Sequence, residues 1–260
     1  MAGTRPLALV TGASRGIGFE LANLFAENGY DLMVAASSEA IHDAAGELRR
    51  RGVSVNPVQV DLRTEDGVRA LYDAVVADGR PLSAAALNAG AGVGGAFVDA
   101  DLEDLLSVVD LDVRSTVHLA RLVLADMVRA GSGRVLITSS LVSKMPGPYQ
   151  AVYNASKAFV QSFAEGVRNE LRDSGVTVTA MLPGATDTQF FARAGLLDTV
   201  MGKAPKDDPS VVAKDGYEAL MRGDRSVVAG SLLTKSLAAL TTVTPKPVTT
   251  ALNRVIAKPR

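Results

Sequence analysis

Seven short runs of β-forming character, at 7–11, 31–36, 55–60, 82–88, 134–139, 176–182 and 226–229, alternate along the chain with stretches of helical periodicity. Strands that are each followed by a helix assemble as a doubly wound parallel sheet, here of about seven strands, with helices on both faces. In an open sheet of this kind ligands bind beyond the carboxyl ends of the strands. The residues with chemical potential fall at those ends: Gly12, Ser37, Asp61, Asn88, Ser140 and Pro183. With 260 residues, 47% of them hydrophobic and 21% charged, the chain can bury one large core, so residues 1–260 read as a single α/β domain.

The first strand end carries the strongest local signal. Thr11-Gly12-Ala13-Ser14-Arg15-Gly16-Ile17-Gly18 follows the apolar run Leu7-Ala8-Leu9-Val10 and precedes Leu21, Leu24 and Phe25 at helical spacing. Strand, glycine turn and helix, in that order, make a phosphate site. Glycine at 12, 16 and 18 lets the backbone bend tightly, admits a pyrophosphate without a Cβ in the way, and brings the helix close to the strand. The helix N-terminus adds free N–H groups and a positive dipole end. Ser14, Arg15 and Ile17, set between the glycines, join them as candidate nucleotide contacts.

A second group has proton-transfer character. Tyr153 and Lys157 stand four residues apart, on one face of a helix, and Ser140 precedes Tyr153 by 13 positions. A phenol with a pKa of about 10 is a poor acid–base group at neutral pH. An ammonium beside it favours the phenolate and is expected to draw its pKa toward working pH.

Together these residues resemble the classical short-chain dehydrogenase/reductase family. Thr11, Gly12, Gly16 and Gly18 fill its TGxxxGxG turn, and Asn88-Ala89-Gly90 fills the NAG after the fourth strand. Ser140, Tyr153 and Lys157 fill its serine and YxxxK, and Pro183-Gly184, with Thr186 and Thr188 following, fills PGxxxT. The motifs occur in family order over roughly three quarters of the chain. The resemblance implies a Rossmann fold, a nicotinamide cofactor held by these glycine, NAG and PGxxxT residues, and hydride transfer between a carbonyl and an alcohol. It also implies Ser140 on the substrate oxygen, Tyr153 as general acid/base, and Lys157 on the nicotinamide ribose. A homodimer or homotetramer, built by pairing the helices that carry Asp112 and Tyr153, is implied as well. The family's fourth catalytic residue is an asparagine; in Val109-Asp110-Leu111-Asp112-Val113 its place is taken by Asp112. If that role belongs to the backbone carbonyl, in a relay to Lys157, aspartate can still serve; if the side chain ionises beside Lys157, it favours the charged ammonium. Leu87 stands where many members carry a second asparagine before Asn88.

An NAD enzyme of this type ends its second strand with an acidic residue that binds the ribose 2′-hydroxyl. Val34-Ala35-Ala36-Ser37-Ser38 contains none, Ser37 and Ser38 can donate to a phosphate, and Arg15 adds positive charge. NADP(H) is therefore expected to be preferred, with NAD(H) still accommodated. Asp61, followed by Leu62, resembles the family's adenine contact; equally, Asp61 reads as the cap of a helix starting near Arg63 or Thr64.

The segments after Ser140 and after Thr188, the second expected to form a lid over 188–210, are apolar. Met145, Pro146 and Tyr149 on one side and Phe190, Phe191, Leu196, Leu197 and Met201 on the other suit a pocket for a lipophilic ketone, aldehyde or alcohol. Alternatively, Phe190 and Leu197 simply pack the lid on the body. Arg193 is the charged exception. Residues 90–95 and 202–210 read as mobile loops.

Charge is unevenly distributed. The chain carries −1 overall, yet 232–260 holds Lys235, Lys246, Arg254, Lys258 and Arg260 and no acid, a +5 segment against −6 for the remainder. Val248, Leu252, Val255 and Ile256 repeat there at helical spacing. This basic amphipathic stretch either packs on its own domain or a neighbouring subunit, or lies on an anionic membrane surface. A net charge of −1 without interleaved aromatics gives no nucleic-acid reading. With no cysteine, and His42 and His118 far apart, no metal site is expected. No signal-like N-terminus or ~18-residue apolar run is visible, so cytoplasmic residence is the expectation. Two other functions compete with the oxidoreductase. One is a cofactor-binding sensor or interaction protein without turnover, supported by Asp112; the other is an epimerase- or dehydratase-like enzyme, opposed by the short stretch after Thr188.

Overall fold

The computed structural model describes residues 5–258, which leaves Arg260 of the basic segment outside the described residues, along with the first four residues and Pro259. In chain order the elements are β1 (Leu7–Thr11), α1 (Gly16–Glu27), β2 (Asp31–Ala36), α2 (Ala40–Arg49), β3 (Val55–Gln59), α3 (Glu65–Asp78), β4 (Leu82–Leu87) and α4 (Leu102–Val109). A π-helical turn (Asp110–Arg114) leads into α5 (Ser115–Ala130), β5 (Gly133–Thr138), a 3₁₀ turn (Leu141–Lys144), α6 (Ala151–Glu170) and β6 (Val176–Pro183). The chain ends with α7 (Phe190–Arg193), α8 (Val200–Lys203), α9 (Pro209–Arg222), β7 (Ser226–Ala229), α10 (Leu232–Val243) and α11 (Lys246–Ala257).

All strand pairs are parallel, in the order β3-β2-β1-β4-β5-β6-β7. Helices cover both faces, which is why Leu7, Ala8, Leu9 and Val10 are buried without interruption. The period of two then sorts them. Leu7 and Leu9 enter the layer formed with α3, α5 and α6, whereas Ala8 and Val10 enter the layer formed with α1, α2 and α9. Strand order reverses between β1 and β4, and ligand crevices of such sheets open at that point.

The expected strands are present with ends moved by at most one residue. β3 stops at Gln59 and β4 at Leu87, β5 runs Gly133–Thr138, and β6 continues through Pro183. The two loops expected to be mobile are tied to their surroundings. In 90–95, the Ala91 N–H donates to Asp112 Oδ1 (2.8 Å), that of Gly94 to the Ala194 carbonyl (2.8 Å) and that of Gly95 to the Tyr149 carbonyl (2.9 Å). In 202–210, Gly202 belongs to α8, capped by Thr199 Oγ1 at 2.9 Å, and the Asp207 N–H donates to the Ala185 carbonyl (2.8 Å). Among the described residues no helix is long and apolar enough to cross a membrane.

Candidate functional site

The site begins where β1 meets β4. The Thr11 hydroxyl accepts from the backbone N–H groups of Asn88 (2.9 Å) and Ala89 (3.0 Å), joining the two strand ends at the reversal point. Asn88 Nδ2 donates to the Thr11 carbonyl (3.3 Å), and its Oδ1 accepts from Thr138 Oγ1 (3.1 Å), which extends the seam to β5. Gly12 (φ +68°) and Gly16 (φ +57°) take the left-handed conformation that suits glycine. A Cβ at Gly12 would stand 3.1 Å from Ala89 Cα, and one at Gly18 would overlap the Gly12 carbonyl oxygen. α1 starts with no side-chain cap and no acid in its first turn, leaving its first N–H groups and positive dipole end directed at the crevice.

Over these strand ends lies a cavity of about 910 Å³ that gathers nearly every expected residue. The glycine turn supplies Gly12, Ser14, Arg15, Gly16, Ile17 and Gly18; the end of β2 supplies Ser37 and Ser38, and the end of β3 Asp61 and Leu62. Asn88, Ala89 and Gly90 follow β4, Ser140 follows β5, Tyr153 and Lys157 come from α6, and Pro183, Gly184, Thr186 and Thr188 follow β6. Asp112 sits behind this wall. Its Oδ2 is 3.3 Å from Lys157 Nζ, with both side chains almost wholly buried.

Lys157 Nζ also donates to the Thr138 carbonyl (3.2 Å) and stands 5.8 Å from the centre of the Tyr153 ring. Ser140 and Tyr153 line the cavity together, close enough for the serine hydroxyl to act on the phenol; the Ser140 hydroxyl itself donates to the Pro183 carbonyl (3.5 Å) and accepts from the Val142 N–H (3.4 Å). The electrostatics correct the expectation from sequence. Burial pushes the Tyr153 phenol well above its ordinary pKa, the Asp112 carboxylate pushes it further, and the neighbouring Ser140 hydroxyl opposes them. The lysine that was to stabilise a phenolate is matched by a carboxylate from another element. Tyr153 is consequently protonated at neutral pH, the state of a proton donor. Burial also raises the Asp112 carboxyl, against the opposing effects of Lys157 and the Ala91 N–H.

Asp61 does not cap a helix. Thr64 caps α3, accepting from the Gly67 N–H at 3.0 Å, while Asp61 accepts from the backbone (3.0 Å) and Nε (2.9 Å) of Arg63 and forms an ion pair with it. That bonding holds the Asp61 carboxyl below the usual carboxylate range. Arg15 is not simply directed at Ser37 and Ser38; its guanidinium donates to Gln189 Oε1, bridging the glycine turn to the 188–210 segment.

The substrate side also differs from expectation. Phe190, Phe191, Met201 and Arg193 line the cavity, but Met145, Pro146, Tyr149, Leu196 and Leu197 do not. Leu196 is buried beneath the segment, Leu197 is exposed, and the Met145 and Pro146 carbonyls accept from Asn154 and Asn253. Phe190 combines both proposed roles, lining the cavity while packing on the Tyr153 ring at 5.0 Å between centroids. The facing wall comes from Leu141, Val142 and Gln150, and the mouth from Leu233, Leu237 and Ile256. Gln150 is buried at the start of α6 with Oε1 unpartnered. Its only sequence signal was its position three residues before Tyr153.

Comparisons with known proteins agree with this geometry. The family model for short chain dehydrogenase matches residues 6–196. Sulfoacetaldehyde reductase 2 of Chromohalobacter salexigens is 32% identical over 218 residues, 82% of this chain and 86% of that protein. A short-chain dehydrogenase from Sphingobium yanoikuyae, solved in complex with NADPH, is similar with a TM-score of 0.81 at 28% identity, over 92% of this chain and 96% of its own. The bulky-bulky ketone specific alcohol dehydrogenase from Comamonas testosteroni is similar with a TM-score of 0.78 at 25% identity, over 94% and 96%. With the parallel sheet, the glycine turn and this family match in one chain, the protein belongs to the short chain dehydrogenase family and is an oxidoreductase of that family.

Proposed function

We propose that the chain interconverts lipophilic ketones or aldehydes and their alcohols with NADP(H), Tyr153 acting as the proton donor. The observation that carries this reading is that Ser140, Tyr153 and Lys157 line the same cavity as the glycine turn. The cradle fits a dinucleotide: glycine at 12 and 18 lets the turn, the end of β4 and α1 pack too closely to admit a Cβ, and α1 directs uncapped N–H groups into the crevice. Gly12, Ser14, Gly16, Ile17 and Gly18 would hold the pyrophosphate, Arg15, Ser37 and Ser38 a 2′-phosphate, and Asp61 with Leu62 the adenine. Asn88, Ala89, Gly90, Lys157, Pro183, Gly184, Thr186 and Thr188 would complete the contacts. When bound, the cofactor supplies or accepts the hydride. Ser140 holds the substrate oxygen, and Tyr153, kept protonated by burial and by Asp112, delivers its proton to that oxygen. Lys157, fixed by Thr138 and Asp112, lies behind Tyr153 as the route by which the proton is replaced, with Asp112 as its positioning partner.

NADP(H) is supported by the absence of a carboxylate at Ala36 and by the NADPH bound in the Sphingobium neighbour. A bulky apolar substrate is supported by Phe190, Phe191, Leu141 and Val142 in the walls and by the ketone named for the Comamonas neighbour. Arg193 at the rim favours a second reading, a short anionic aldehyde like that named for the Chromohalobacter relative. Exposed Leu102, Leu106 and Val109 on α4 and Phe159 on α6 support the paired-helix dimer or tetramer.

The test is fluorescence titration with NADPH and NADH, followed by a panel of bulky ketones with sulfoacetaldehyde as the anionic comparison. NADPH is expected to bind more tightly and to be oxidised with bulky ketones. Tyr153→Phe is expected to keep NADPH affinity and lose on the order of 10²–10⁴-fold in turnover. Unchanged turnover in that variant removes Tyr153 from the chemistry, and tight binding with no turnover across the panel favours the sensor.

A further inference from the structure

The two C-terminal helices carry their amphipathicity inside out. The side chains that α10 and α11 turn toward the body are polar or small: Thr234 and Ala238 on the first, Thr249, Asn253 and Ala257 on the second, all buried. They anchor by hydrogen bonds rather than by greasy packing, Thr234 Oγ1 donating to Asp207 Oδ2 (2.5 Å) and Asn253 Nδ2 to the Pro146 carbonyl (3.1 Å). Apart from Leu233, Leu237 and Ile256, which line the cavity, the large aliphatic side chains described on these helices face away from the body. Leu232, Leu240, Val248, Leu252 and Val255 are 55–83% exposed. For these residues the packing that helix amphipathicity ordinarily reports is reversed, and exposed apolar side chains grouped on a helix face mark an interaction surface.

Charge selects the partner. Lys235 is paired with Asp215 (2.9 Å), whereas Lys246, Arg254 and Lys258 are exposed and make no ion pair among the described residues. No acid occurs anywhere in 232–258 to offset them. A second copy meeting this face about a two-fold axis would bring the same unpaired cations together. An anionic bilayer offers phosphates to the cations and an acyl boundary to the leucines and valines. We propose that the outer face of α10 and α11 docks on an anionic lipid surface. Leu233 and Leu237 extend this face to the cavity mouth, being exposed and cavity-lining at once, so the docked protein faces its cavity opening toward the lipid. Intake of a carbonyl compound dissolved in the bilayer rests on the proposed function; the docking does not.

Full-length protein is floated with vesicles of phosphatidylglycerol and phosphatidylcholine, against vesicles of phosphatidylcholine alone, at low and high salt. The expected result is at least about tenfold more protein on the anionic vesicles, falling with salt. Lys246→Glu/Arg254→Glu/Lys258→Glu is expected to abolish the difference, and Leu232→Ser/Leu240→Ser/Leu252→Ser/Val255→Ser to abolish binding, each with an unchanged melting curve. If the second variant fails to fold, the first decides alone, because retained anionic binding in it overturns the proposal. Absence of vesicle binding by the wild type overturns it too. If the wild type sediments as a dimer that the apolar variant converts to monomer, without vesicle binding, the face belongs to a second copy instead.

Discussion

Tyr153 illustrates how one residue's chemistry depends on a group far away in sequence. The i,i+4 spacing correctly put Lys157 on its face of α6, but the sign of its pKa shift is governed by burial and by Asp112, brought in from the π-helical turn between α4 and α5. Spacing carries no information about a third charge on another element. On the role proposed for Tyr153, alcohol oxidation needs the phenolate, so its rate should rise with pH through the Tyr153 pKa. Removing the neighbouring negative charge lowers that pKa. Asp112→Asn is therefore expected to shift the rising limb of the oxidation profile to lower pH by about one unit, with NADPH affinity nearly unchanged. A pH-rate series in both directions checks this, and an unmoved limb means that Tyr153 does not feel the Asp112 charge. Asp61 was legible only in part: an aspartate before a helix suggests a cap, yet Thr64 is nearer the first turn and takes that place.

Among the elements, the strands were read almost to the residue because parallel strands buried on both faces leave continuous apolar runs. The π-helical turn left no such trace, since its residues satisfy an ordinary helical pattern. For α11 the spacing gave a helix with an apolar face but not the side to which that face turns, and Ile256 from the same pattern lines the cavity; α10 was not read from the pattern, and buried hydrogen bonds from Thr234 and Asn253 tie the two helices to the body. Glycines inside helices separate the same way into two kinds. A Cβ at Gly18 would overlap the Gly12 carbonyl oxygen, whereas one at Gly46 in α2 meets nothing within 4 Å. Gly18→Ala is expected to weaken NADPH binding at least about tenfold and lower the melting temperature. Gly46→Ala should raise stability by about 0.5–1 kcal/mol, measurable by denaturant unfolding.

At the scale of the whole molecule, α1 is fastened to α9 across the sheet's second layer. Phe25 sits edge-on against Tyr217 at 5.1 Å and Tyr30 at 5.2 Å, so the glycine-turn helix depends on an aromatic cluster completed near the far end of the chain. Phe25→Ala should cost about 3–5 kcal/mol. The melting temperature should then fall by roughly 10 °C, read by calorimetry, with the nucleotide crevice loosened in parallel. A loss of stability without weaker nucleotide binding would mean that α1 keeps its place without the cluster.

The bond from Arg15 to Gln189 ties the two ends of the crevice to a single guanidinium. If a 2′-phosphate engages Arg15 as proposed, the other donors of the same guanidinium can keep Gln189, so the nucleotide and the start of the 188–210 segment would be held by one side chain.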